Sequence, residues 1–264
     1  MKYKKLRLAF DDFKSFFKGY YFKISTKKNA QLNIDKWHQL SHAQLKINWR
    51  PELGEVNLNR IHNINLGSEL LNNVYLEKGE VLSLRYFFKD TSENLGFKSG
   101  PMFVDGKISY VDGGGLCLVS TILFDAALKA NLDILEKHNH STDLWGDDRF
   151  IDLGRDATYV HGLKDLKIRN NSTSPVIFKL ITDKEKLSLD CWVFSEKPLN
   201  GKVEIKKNIL REILPPKLSP QDKPGINFRL GWEVETNRYF ISDNNKTSTY
   251  RKKEIYKPFI LGST

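Results

Sequence analysis

Gly113, Gly114 and Gly115 run together without interruption, and Leu116 and Cys117 follow directly, ahead of an apolar stretch of helical period. Nothing else in the chain restricts its backbone so tightly. Glycine loses more conformational entropy on folding than any other residue, so three in a row make a poor strand. They suit a turn that needs positive φ, or one whose backbone lies close against something else. Residues 118–130 then read as a helix, with Val119, Ile122, Leu123, Ala126, Ala127 and Ala130 on its buried side and Asn131 as its terminator. Ahead of the glycines, residues 103–107 read as a strand ending in an Asp105–Gly106 turn, and Ile108 and Tyr110 as its return. Cys117 therefore falls in a first helical turn, where free backbone N–H groups and the positive helix end favour a thiolate. Strand, glycine turn, cysteine and helix can activate a nucleophile and set N–H groups near a developing oxyanion. The same string also suits a cysteine packed inward as a small apolar residue.

Such a thiol needs a base. His138 and His140 stand two residues apart and would project to one side of an extended segment, with Ser141 next. Asp152 and Asp156 bracket Leu153, Gly154 and Arg155, and either carboxylate would orient an imidazole, although each alone also reads as a turn cap. The expected catalytic unit is Cys117 with His140 or His138 and with Asp156 or Asp152. A zinc site built from Cys117, His138, His140 and an aspartate competes with it, but a histidine pair at this spacing is weak ligand evidence, and no metal or other cofactor is assigned. Gly113, Gly114, Gly115 and Arg155 are the candidate ligand-binding residues; Arg155 either grips an anionic group or pairs with an internal carboxylate. His161 reads as solvent-facing, and Trp145 as a pocket cover or a packing residue.

The first thirty residues carry nine basic residues against Asp11 and Asp12, within a chain of 264 residues whose net charge is +10. Leu6, Phe10, Phe13 and Phe17 recur there at helical spacing. A terminal helix packed on the domain with a basic outer face accounts for this pattern. A peripheral membrane contact through residues 1–30 accounts for it as well. No motif supports a nucleic-acid partner. With 40% hydrophobic and 28% charged residues the chain is expected to fold, and two cysteines exclude a disulfide-stapled scaffold. No apolar run approaches a membrane span and no secretory signal is apparent. The expected location is cytoplasmic, or peripheral on the inner membrane face.

A helix is expected over residues 34–45 with Trp37 and Leu40 turned inward, closed off by Pro51 and Gly54. Residues 55–85 read as loops and short strands, with Val74 and Leu76 in one and Val81 and Leu82 in the next. Residues 163–169, 176–181 and 187–193 read as three consecutive antiparallel strands, with Cys191 buried in the third. Residues 201–207 are a candidate fourth strand. Pro215, Pro216, Pro220 and Pro224 mark an irregular crossing before residues 228–235. The expected fold is α+β: an antiparallel sheet packed against helices, with a glycine turn leading into a central helix. Three regions are expected: a basic, aromatic helical region (1–65), a core domain (66–200) and a C-terminal extension packed on that core (201–264).

The stretch from Gly113 to Ala127 resembles the signature of the VanW-like family. The similarity continues at His140 and Ser141, at Gly154, Arg155, Asp156, Ala157 and Thr158, and from Leu166 to Asn171. Looser matches lie at residues 79–83 and at Gly100, Pro101, Val104, Gly106 and Lys107. Together they span roughly residues 70–182, and Arg229 to Glu235 resembles the tail of the family's vancomycin-resistance-associated members. The start resembles those same shorter members, which lack a membrane anchor and accessory domains. Leu118 departs from the pattern, since the family usually has glutamine there. The resemblance specifies no reaction. Taken with the residues, it leaves a cysteine-dependent amide or ester hydrolase or transferase acting on cell-envelope material, or else a non-catalytic module binding a polar ligand.

Overall fold

The computed structural model describes residues 2–30, 33–89, 91, 93–104, 107–144, 146, 149–215, 228–243 and 245–260. Asp105, Gly106, Trp145, Pro216, Pro220 and Pro224 lie outside that set. The chain enters with helix α1 (Lys2–Phe17). Leu6, Phe10, Phe13 and Phe17 do share one helical face, but that face points outward, at 71%, 66%, 59% and 69% exposed. The helix is held to the domain by its acidic side instead. Asp11 meets Arg85 at 3.2 Å and Lys167 at 2.8 Å, and Asp12 also pairs with Arg85.

Strand β1 (His38–Lys46) occupies most of the region where a helix was expected, preceded by a 3-10 turn at Ile34–Lys36. Its burial explains the difference. Ser41, Ala43, Leu45 and then Ile47 turn inward at every second residue, while His42, Gln44 and Lys46 face water, a period of two rather than 3.6. Helix α2 (Val56–Leu71) replaces loops and short strands in the first part of residues 55–85. It carries Asn57, Arg60, Asn63 and Ser68 on its buried face beside Ile61, Ile64 and Leu71, so polar groups interrupt the apolar stripe that would announce it. Those groups hold loops: Arg60 donates to the Asn48 carbonyl at 2.9 Å and Asn57 to that of Gly54 at 3.1 Å. Strands β2 (Val74–Leu76) and β3 (Val81–Ser83) follow as expected, then the short helix α3 (Leu84–Phe88).

β4 (Ser99–Val104) and β5 (Lys107–Asp112) form the hairpin ahead of the glycine turn, and α4 (Leu116–Lys129) follows it. Within α4 only Cys117 and Lys129 escape burial. A helix so enclosed must be apolar on nearly all sides, and this one is. Next come β6 (Asp133–Glu136), β7 (Lys167–Arg169), β8 (Val176–Asp183) and β9 (Ser188–Ser195). The last three are not one meander. β7 pairs with β3 and β6, whereas β8 and β9 join β1 and β2 in the order β1-β9-β8-β2. Asn170, fully buried between β7 and β8, turns the chain from one sheet into the other by donating to the Leu76 and Ser174 carbonyls at 3.0 and 2.9 Å. Cys191 is buried, as expected.

The remaining strands are β10 (Lys202–Ile213), β11 (Phe228–Arg229), β12 (Gly231–Ser242), β13 (Asn245–Tyr256) and β14 (Phe259–Ile260). β10, β12 and β13 form a long antiparallel sheet that closes over the far end of α4. Arg238 on β12, fully buried, donates to the carbonyls of Leu128 and Leu132 at 3.3 and 2.7 Å. The Leu128 carbonyl lies in the last turn of α4, where a cation is favourable. The architecture is α+β, with α4 at its centre.

Candidate active site

Each glycine before α4 has its own physical reason. Gly113 and Gly115 take φ of 80° and 107°, a region that side chains disfavour. Gly114 lies against Gly100 of β4 so closely that a Cβ on it would fall 2.2 Å from the Gly100 carbonyl carbon. Asn63 of α2 braces the same turn, donating to the Lys98 and Gly114 carbonyls at 2.8 and 3.0 Å and accepting from the Lys98 N–H at 2.8 Å. The three glycines thus act through backbone shape.

The turn delivers Cys117 half-buried at the second position of α4. One face of the helix then grips residues 155–158 in succession. Asp125 accepts from Arg155 Nε at 2.8 Å and from its Nη2. Thr121 Oγ1 donates to the Ala157 carbonyl at 2.9 Å and accepts its N–H at 3.0 Å. Cys117 Sγ lies 3.0 Å from Thr158 Oγ1 and 3.9 Å from the Tyr159 carbonyl oxygen. Residues 117, 121 and 125 are spaced at i, i+4 and i+8, which stacks them on one helical face. Arg155 is thereby committed to a carboxylate and serves to position this segment.

Asp156, held in that segment, accepts from His140 twice: from the backbone N–H at 2.8 Å and at Nδ1 at 2.7 Å. The imidazole also interacts electrostatically with the Cys117 thiol. With Nδ1 given to the carboxylate, the second ring nitrogen is the one left for sulfur. Cys117, His140 and Asp156 are therefore brought together. His138 and Asp152 are not: His138 meets Glu136 at 2.9 Å, and Asp152 meets Lys207 at 2.7 Å. With His138 turned to Glu136, the alternative zinc set is not assembled, and no group of three or more potential ligands suited to a metal occurs among the described residues. His161 lies 3.3 Å from the Tyr159 hydroxyl.

The charges follow from these contacts. Burial pushes the Cys117 thiol up, but the His140 hydrogen bond and charge, with the Thr158 and Tyr159 contacts, outweigh it and bring the thiol down to about 7. For His140, burial opposes the charged ring, and hydrogen bonds to Asp156 and Cys117 overcome that to raise it to about 10. Asp156 lies well below the usual carboxylate range: burial works against this, and the His140 bond and the nearby Lys137 charge prevail. Near neutrality the thiol is thus poised at its midpoint, beside a protonated imidazole over a carboxylate.

Residues beyond the expected set complete the site. The Tyr256 hydroxyl, at the end of β13, donates to Asp156 Oδ1 and accepts from the Gly154 N–H at 2.7 Å. Lys137, buried beneath, pairs with Glu254 of the same strand. Asn139 donates to the Ile255 carbonyl at 3.0 Å, and the Lys257 N–H donates to that of Ser141 at 2.7 Å, so the strand end pins the segment carrying His140. The only sequence signal for Tyr256 was its place at the end of an alternating strand. Leu118 is buried in the core, so its position supplies no side-chain amide beside the sulfur. His140, Asp156 and Tyr256 line a small hollow; a separate cavity of about 800 Å³, walled by Tyr159, His138 and α1, has none of Cys117, His140 and Asp156 in its lining.

Comparison with known proteins finds relatives over the same part of the chain. YoaR of Bacillus subtilis (strain 168), an uncharacterized protein, is 32% identical over 123 residues, 47% of this chain and 39% of YoaR. The vancomycin B-type resistance protein VanW of Enterococcus faecalis (strain ATCC 700802 / V583) is 28% identical over 130 residues, 49% of this chain and 47% of VanW. The matched region thus spans less than half of either relative. No solved structure matches the chain. The profile of the family described as VanW like protein matches residues 59–192, just over half of the chain and inclusive of Cys117, His140 and Asp156. The chain belongs to the VanW-like family.

Proposed function

We propose that the protein is a cysteine-dependent acyl hydrolase or acyltransferase with Cys117 as nucleophile, His140 as general acid and base, and Asp156 as the group that orients His140. One observation carries this reading: a half-buried thiol at a helix start, electrostatically coupled to an imidazole whose Nδ1 is bonded to a buried carboxylate. In the forward step the thiolate attacks the carbonyl carbon of an amide or ester and the oxyanion grows near the N-terminus of α4. As the C–N or C–O bond breaks, the His140 imidazolium gives its proton to the leaving amine or alcohol, and a thioester remains on Cys117. His140, now neutral, takes a proton from water or from an acceptor nucleophile, which attacks the thioester and releases the acyl group. Kinship with a protein named for vancomycin resistance supports cell-envelope amides or esters as the substrate class.

A binding module without chemistry predicts Cys117 buried or its sulfur remote from both imidazoles; the half-burial of Cys117 and its electrostatic coupling to His140 speak against it. The test uses p-nitrophenyl acetate as acyl donor and mass spectrometry of the intact chain. Wild type should gain one acetyl group on the peptide containing Cys117, Cys117→Ala none there, and His140→Ala should react ~10²–10⁴-fold more slowly. A wild type that never acylates at Cys117, at any pH from neutral to mildly alkaline, would overturn the proposal.

A further inference from the structure

Helix α1 is oriented the wrong way round for a helix that merely covers a core. Its two acidic residues face the domain and are neutralised by Arg85 and Lys167, while Phe16 and Phe17 face out and the exposed Leu6, Phe10 and Phe13 border the open cavity beside the helix. The aromatic surface continues past the helix end. Phe13 and Phe17 sit 4.5 Å apart between ring centroids, Phe16 lies 5.7 Å from Phe17, and Phe16 lies 5.9 Å from Phe22. Phe22 is 83% exposed. Lys14, Lys18 and Lys23 are exposed around this cluster.

We propose that this face is a docking surface for an anionic membrane leaflet. Charge complementarity selects that occupant. Asp11 and Asp12 are the only acidic residues among the first thirty, and both are turned inward, whereas Lys14, Lys18 and Lys23 stand exposed beside the aromatic cluster; Lys27, further on, pairs with Glu80. Phenylalanines standing out of the surface reach the boundary between headgroups and acyl chains, and lysines on flexible stems reach the phosphates beside them. The ion pairs beneath fix the helix's rotation, so the apolar face is presented without first peeling α1 from the domain. Docking of this kind does not depend on the chemistry at Cys117.

The test is co-sedimentation of the full chain with phosphatidylcholine vesicles, with and without phosphatidylglycerol, at low and high salt, alongside light scattering of the free protein. Wild type should bind the vesicles containing phosphatidylglycerol, more weakly as salt rises, and hardly at all to phosphatidylcholine alone. Lys14→Ala/Lys18→Ala should weaken binding by roughly fivefold for each lysine removed. Phe13→Ser/Phe17→Ser should abolish it with no loss of melting temperature, since both rings stand in solvent. Failure to bind the anionic vesicles, or binding that neither pair of substitutions weakens, would overturn the proposal. So would a stable dimer that Phe13→Ser/Phe17→Ser dissociates, because the face would then belong to a second copy.

Discussion

Burial alone would make Cys117 a poor nucleophile, and at Cys191 it does so: that thiol, enclosed by the core and facing the Asp125 and Asp190 charges, is pushed far up. The two cysteines differ because His140 stands beside only one of them. His140 depends in turn on Asp156, and Asp156 on the Tyr256 hydroxyl. Tyr256→Phe keeps the ring and removes that donor. We expect the thiol's midpoint to move upward, toward its ordinary value, with a loss of ~1.5–3 kcal/mol in chemical denaturation for a hydrogen bond to a charged group. An unchanged midpoint would mean that Asp156 is held without the tyrosine. Cys117 was legible because it follows a distinctive glycine run, whereas the sequence left His140 or His138 and Asp156 or Asp152 as alternatives, because which of them meet is decided only in the fold. Tyr256 was not legible, since an aromatic at a strand end reads as packing, and its partner lies a hundred positions away.

At the scale of elements, α4 and its glycine turn were legible because the glycines and the apolar period signal within a dozen residues. β1 and α2 were not. β1 is short and amphipathic and its polar positions admit either period, whereas α2 buries asparagines whose partners are loop carbonyls that no local pattern reveals. The same logic makes the turn fragile. Gly114→Ala should cost about 1–3 kcal/mol, because the new methyl meets the backbone of Gly100, which has no side chain to swing away. Gly19→Ala is the control. Unlike Gly114, Gly19 has positive φ, but nothing lies within 4 Å of a built Cβ, and the substitution should cost only ~1 kcal/mol in the same urea titration. Equal losses would show that the close approach to Gly100 costs no more than the backbone strain at Gly19.

Over the whole molecule, the site is assembled from parts that the family profile does and does not cover. Cys117, His140 and Asp156 fall within residues 59–192, while Tyr256 and Glu254 come from the C-terminal sheet beyond it. That sheet is thus part of the site's support. Glu254→Gln leaves Lys137 buried without its ion partner and should destabilise the protein by ~3–5 kcal/mol, read as a lowered melting temperature. Because the three central residues meet only in the folded chain, a low thiol midpoint is a property of the native state. Iodoacetamide alkylation of Cys117 measured against pH tests this most directly, in wild type, in His140→Ala and in wild type unfolded in urea. The account predicts a midpoint near 7 for the folded wild type, and a clear upward displacement both without His140 and in urea. A folded wild type that titrates near 9, unchanged by His140→Ala, would contradict it.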